Sequence, residues 1–183
     1  MALANGPERF GAVTRALHWL VAALVLGQLA LGLRIATMQA SFDTLWLFSL
    51  HKSLGILVLA LIVLRWLWHR ISPPPPPMGG GPPWQPRLAR LVHRAFYVVL
   101  ILMPLAGWVA SSATGLDVVL VGGIVLPPLA PAIPWIETVF FAMHAALAAL
   151  LALLIALHLG GVALHLRRRD GTLARMALGR PAR

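Results

Sequence analysis

Cysteine is absent from this sequence, Asp and Glu together number only 5, and charged residues of either sign make up 11% of the 183 positions. Without cysteine there are no disulfides, no thiolate-held iron–sulfur or zinc sites, and no covalent haem through a C-x-x-C-H motif. The few carboxylates, Glu8, Asp43, Asp117, Glu137 and Asp170, fall at segment ends or in loops. A di-iron bundle needs Glu-x-x-His pairs on its helices. A proton or ion carrier places acids within its spans. Neither pattern is present. So little charge also argues against a soluble domain. What fills the chain instead is hydrophobic, 60% of residues, with a mean hydropathy of +0.85. The alternating ten-residue segments of a membrane β-barrel are missing.

Four apolar stretches, near 15–36, 44–67, 88–112 and 136–166, meet the length of about 20 residues that a helix needs to cross a bilayer. The expected fold is therefore all-α, a four-helix transmembrane bundle forming one domain over 1–183. The fourth stretch exceeds a single crossing, so it tilts or runs on into water. The first outlasts a signal-peptide core and has no small-residue cleavage site behind it, so it is expected to remain as a helix. Of the 15 Lys and Arg, only Arg34 and Lys52 fall on the side opposite the N-terminus. The positive-inside bias then puts both termini in the cytoplasm. The formal net charge of +10 is thus a topology signal, and nucleic acid is not an expected partner; membrane lipid is.

The connections differ in kind. Residues 72–87 contain five consecutive prolines and then glycines. They read as an extended cytoplasmic spacer, with a proline-binding partner module as the alternative. The outer loop, 113–135, is apolar, but its glycines and prolines rule out a span. It is expected to lie along the outer interface and cap the bundle. The basic tail after Leu166 is expected on the anionic inner leaflet.

Histidine carries the chemistry. His144 and His158 are fourteen residues apart in one apolar segment, close to four helical turns, so both rings leave the same face about 21 Å apart. His18 opens the first span near the inner face, and His51 opens the second near the outer face. The antiparallel course pairs His18 with His158 at the inner level and His51 with His144 at the outer. Two pairs of neutral imidazoles suit two bis-histidine b-type haems, which hold electrons and leave no open position on iron. His93, beside Arg90 and Arg94, is at the inner level, either as a replacement ligand or as a propionate partner. His69 and His165 are read as interfacial. Gly32 and Gly107, fourteen residues after His18 and His93, and Gly55, one turn from His51, are expected to leave room for a flat macrocycle. Arg65, fourteen after His51, is expected to meet inner propionates. Lys52 and Arg34 at the outer face serve either as propionate partners or as a field that gathers a small anion. Trp108, Ser111 and Ser112 are candidates for an outer quinone pocket, or else mark an interfacial helix end.

These residues resemble a known family. R-x-x-H-W (Arg15 to Trp19), HKSLG (His51 to Gly55) with Arg65 beyond it, H-x-x-x-Y (His93 to Tyr97), MPLAGW (Met103 to Trp108), the His144–His158 spacing and RDGTLARM (Arg169 to Met176) are similar to the bacterial cytochrome b561 family. The resemblance covers nearly the whole chain. It implies a bacterial inner-membrane protein with two b-type haems, ligated at His18, His51, His144 and His158. It also implies ubiquinone as one redox partner and a second partner at the outer face. If that partner is superoxide, the chain is an oxidoreductase in its own right. If it is a dehydrogenase, the chain is a haem-carrying anchor or electron-transfer subunit of a larger complex.

Overall fold

The computed structural model describes residues 2–77 and 82–176. The middle of the Pro/Gly linker and the end of the basic tail fall outside the described residues. Four helices are long and apolar enough to cross a membrane: α1 (Ala12–Thr37), α2 (Leu45–Ile71), α3 (Trp84–Ala113) and α4 (Pro134–Arg168). A spanning segment satisfies its own backbone polar groups, which is why each apolar run closes into one unbroken helix.

The helix ends explain where each begins and stops. Before α1, the chain folds back so that the Ala2 and Leu3 carbonyls accept from the Ala12 and Val13 amides, at 3.0 and 3.4 Å. Gly11 permits this return, since a Cβ there would lie 2.2 Å from the Leu3 oxygen. A 3-10 turn, Phe42–Thr44, capped reciprocally by Ser41 and Thr44, leads into α2. Pro134 opens α4, with Glu137 in its first turn and His165, Arg167 and Arg168 in its last, all in keeping with the helix dipole. At 35 residues, α4 is about 52 Å long, well beyond the hydrocarbon thickness.

The helices run alternately up and down. The most extensive packing is α3 on α4, then α1 on α2, then α2 on α3, whereas α4 lies only sparsely against α1 and α2. The core comes from all four helices and sits midway along them: Val21 and Val25, Val58 and Ile62, Val92, Val99 and Leu100, Leu151 and Leu154. Val25, Val58, Leu100 and Leu151 each lie seven residues from a histidine in sequence. They form an apolar layer between two histidine levels.

The two ends of the bundle are closed by polar bonds. At one end, Asn5 bonds Ser72 through both backbone and side chain. A short helix, α5 (Thr172–Met176), folds beneath the bundle. There Arg175 donates to the Glu8 and Pro76 carbonyls at 2.7 and 3.0 Å, and the Trp19 indole donates to the Met176 carbonyl. The N-terminal segment and α5 therefore share one face, as four crossings require. At the other end, the outer loop, expected to lie along the interface, pairs two short antiparallel strands, β1 (Val118–Val119) and β2 (Val125–Leu126). Gly122, at φ 85°, takes the left-handed position in the turn between them. The hairpin caps the bundle. Val121 donates to Ser53 Oγ at 2.8 Å, the Trp108 indole to the Pro127 carbonyl at 3.0 Å, and the Leu129 amide to Ser112 Oγ at 3.1 Å. Ser111 and Ser112 are buried under it.

Candidate functional site

Helical periodicity turns each histidine inward, and the antiparallel course brings the rings together in pairs. His51 of α2 and His144 of α4 face each other near the hairpin, ring centres 6.1 Å apart. His18 of α1 and His158 of α4 face each other near α5, ring centres 6.3 Å apart. Both pairs reach across the sparse interval between α4 and the α1–α2 pair. One metal with imidazoles on opposite sides sets ring centres about 6 Å apart, from two bonds of about 2 Å and roughly 1 Å from each nitrogen to its ring centre. The two observed separations match that spacing. Among the described residues, no group of three or more His, Cys, Asp or Glu is arranged around a bare metal ion. The donor set is thus pairs of neutral nitrogens, the chemistry that suits haem iron.

The surroundings of His144 fix its protonation. Its Nδ1 lies 2.8 Å from the Met103 carbonyl oxygen. A carbonyl only accepts, so Nδ1 carries the proton and Nε2 keeps its lone pair for a metal. Gly107, one turn on from Met103 in α3, makes this possible, because a Cβ there would lie 3.0 Å from Nδ1 and 3.1 Å from Cε1 of His144. Across the bundle, a Cβ on Gly32 would lie 3.3 Å from Cε1 of His51. The space these two glycines leave is filled by the imidazoles themselves, a closer use than the macrocycle clearance expected from sequence. Gly55 serves a third group, since its Cβ would meet Gln28 Nε2 at 3.3 Å. The reason is helix rotation, which turns Gly55 toward α1 and away from the histidine interval.

The inner level is more crowded. His93 of α3 packs edge-on against His158, ring centres 5.3 Å apart, and Phe96 flanks the same ring at 5.7 Å. The Nδ1 of His93 donates to the Ala89 carbonyl one turn back, at 2.6 Å, so it too keeps Nε2 free. Arg65 lies close enough to act electrostatically on His18, His158 and His69. Its Nε donates to the Tyr97 hydroxyl at 3.2 Å, and that hydroxyl lies 3.1 Å from His69 Nδ1. The Nε2 of His69 is buried with no hydrogen-bond partner among the described residues. His69, expected to be merely interfacial, is thus drawn inward through Tyr97.

At the outer level Lys52 is half-buried beside His51, while Arg34 is exposed in the last turn of α1. Sequence reasoning missed Gln28, which is 7% exposed. Its amide Nε2 donates to the His51 carbonyl at 2.8 Å. A lone amide inside an apolar run was the available signal. His165 pairs with Asp170, and Asp170 Oδ1 accepts from the Thr172 amide at 3.0 Å. Burial alone would raise the Asp170 carboxyl, but the hydrogen bonds from His165 and Thr172 prevail and hold it down at about 2.

The sequence matches known proteins over most of its length. A family model described as prokaryotic cytochrome b561 matches residues 9–179. The cytochrome b561 homolog 2 of Escherichia coli (strain K12) is 36% identical over 130 residues, which cover 69% of this chain and 68% of that protein. With its four spanning helices, the chain is a multi-pass bacterial membrane protein and belongs to the prokaryotic cytochrome b561 family, whose members imply b-type haem and electron transfer across the membrane.

Proposed function

We propose that this chain holds two b-type haems, one at each histidine level, and passes electrons between a donor at the outer face and ubiquinone in the bacterial inner membrane. The observation that carries the reading is the pair of imidazole separations, 6.1 and 6.3 Å, at two depths. His51 and His144 are the outer ligands, His18 and His158 the inner. When bound, haem would supply reversible one-electron chemistry, held by these imidazoles. The residues do the rest. The Met103 carbonyl orients His144. Arg65 and His69, tied through Tyr97, present donors to an inner propionate, and His93, its Nδ1–H already held by the Ala89 carbonyl, packs edge-on against His158. Lys52 is the cation suited to an outer propionate. The buried layer of Val25, Val58, Leu100 and Leu151 keeps water from between the two levels.

Superoxide is the small anion that the outer cations would gather, and with it as donor the chain is an oxidoreductase. A reduced-minus-oxidised spectrum with a haem count per chain tests the core of the reading. Two haems are expected in the wild type and one, the inner, in His144→Ala. A folded, colourless preparation overturns it. Turnover of superoxide with a soluble quinone then identifies the donor. No turnover, together with a co-purifying dehydrogenase, makes the chain a subunit of that complex.

A further inference from the structure

A metal-bound imidazole uses one nitrogen for the metal and needs an acceptor for the N–H on the other. His144 has one in the Met103 carbonyl. His51, its partner across the outer level, does not: its Nδ1 is buried with no hydrogen-bond partner among the described residues. A buried N–H left this way has lost its hydration with nothing in return, so a native site rarely keeps one.

From α1, Gln28 reaches His51. The same amide that donates to the His51 carbonyl at 2.8 Å has a buried Oε1 with no partner among the described residues. Exchanging the amide's oxygen and nitrogen does not relieve this. It would set Oε1 against the His51 carbonyl, two acceptors face to face. The orientation is therefore fixed: the amide that holds the His51 backbone leaves one acceptor unused, and the His51 ring leaves one donor unused. Two glycines shape the surroundings. Gly55 makes room for the amide, as the 3.3 Å approach of a Cβ shows, and Gly32, one turn beyond Gln28, makes room for the His51 ring. A Cβ on Gly32 would come within 4.0 Å of Nδ1 itself, which places that nitrogen over the face of α1 that Gln28 shares.

We propose that Gln28 is the positioning residue for His51. In the haem-loaded protein its Oε1 is the acceptor for the Nδ1–H of His51, which fixes the tautomer that leaves Nε2 for the outer haem. This rests on the reading of His51 and His144 as the outer ligands. The amide then holds His51 twice, by backbone and by ring. An acceptor on Nδ1–H makes the imidazole a stronger base and favours the oxidised metal. The outer centre is tuned from α1, a helix that gives it no ligand.

The test is a redox titration and low-temperature electron paramagnetic resonance of the purified haem-loaded protein, with Gln28→Leu and Gln28→Glu. Gln28→Leu should keep two haems, raise the outer midpoint potential and shift the outer low-spin signal, with the inner signal unmoved. Gln28→Glu keeps an acceptor but loses the amide donor, and should shift the outer potential downward. If Gln28 only pins helices through its NH2 group, the two variants shift together, and that overturns the proposal. So does an unmoved outer signal in Gln28→Leu. Where Gln28→Leu fails to load the outer haem, Gln28→Glu decides alone: a loaded, lowered outer centre supports the proposal and an empty one overturns it. Two haems remaining in His51→Ala would instead refute the ligand assignment beneath it.

Discussion

Gly107→Ala is a change of one methyl group with a sign that the geometry decides. On helix propensity alone it is favourable by about 1 kcal/mol. The new Cβ, however, would lie 3.0 Å from Nδ1 and 3.1 Å from Cε1 of His144, so the ring has to move. It cannot move freely, because Nδ1 is tied to the Met103 carbonyl at 2.8 Å. Breaking that bond leaves a buried pair unmatched, at about 1–3 kcal/mol, and the overpacking adds about 1–3 kcal/mol. The net is a loss of about 3 kcal/mol, or roughly 100-fold in outer haem affinity, in line with the usual effect of removing a ligand's supporting partner. Haem extraction by excess apomyoglobin, followed through the outer spectral band, measures it. Gly27→Ala and Gly160→Ala are the controls, since a Cβ at either meets nothing within 4 Å. They should leave extraction unchanged. Equal haem retention by Gly107→Ala and the controls would refute the link from the glycine through the ring to the site.

Three further outcomes follow from the inner level and the tail. Arg65→Ala removes a cation that favours the reduced state, so the inner midpoint potential should fall while the outer stays; an unchanged inner potential refutes the propionate role. His93→Phe should leave two haems bound if, as proposed, His18 and His158 are the inner ligands; a one-haem product makes His93 a ligand. Asp170, held at about 2 against an ordinary carboxyl near 3.9, contributes stability that is full above about pH 4 and is lost as pH falls through 2. Protection of the Thr172 amide, its exchange relative to a free amide at the same pH, should therefore be high at pH 5 and fall near pH 2. Equal protection at both shows that Asp170 does not hold the turn.

What sequence disclosed and what it hid divides along physical lines. Apolar length sets the spans, because the bilayer imposes it, but not where α2 and α4 stop, because a helix continues into water on propensity and capping alone. Hence α4 reaches from Pro134 to Arg168, beyond its apolar run. The depths of the four histidines were legible because rise per residue is fixed. The rotation of one helix about its axis relative to another is not fixed by any single sequence, and it decides that Gly55 meets Gln28 and that Tyr97 links Arg65 to His69. The hairpin was hidden for another reason. Two strands of two residues each are too short to show alternation, although the glycines and prolines announced a fold against the surface.

The layer formed by Val25, Val58, Leu100 and Leu151 has an electrical consequence. In the proposed two-haem protein, its apolar side chains carry no charge and no dipole that could turn to shield an electron at one depth from an electron at the other. Over the about 21 Å spanned by fourteen helical residues, two unit charges repel by about 0.8 kcal/mol at an effective dielectric constant of about 20. The second electron is therefore harder to add than the first, so the filled bundle releases one charge more readily than it releases both.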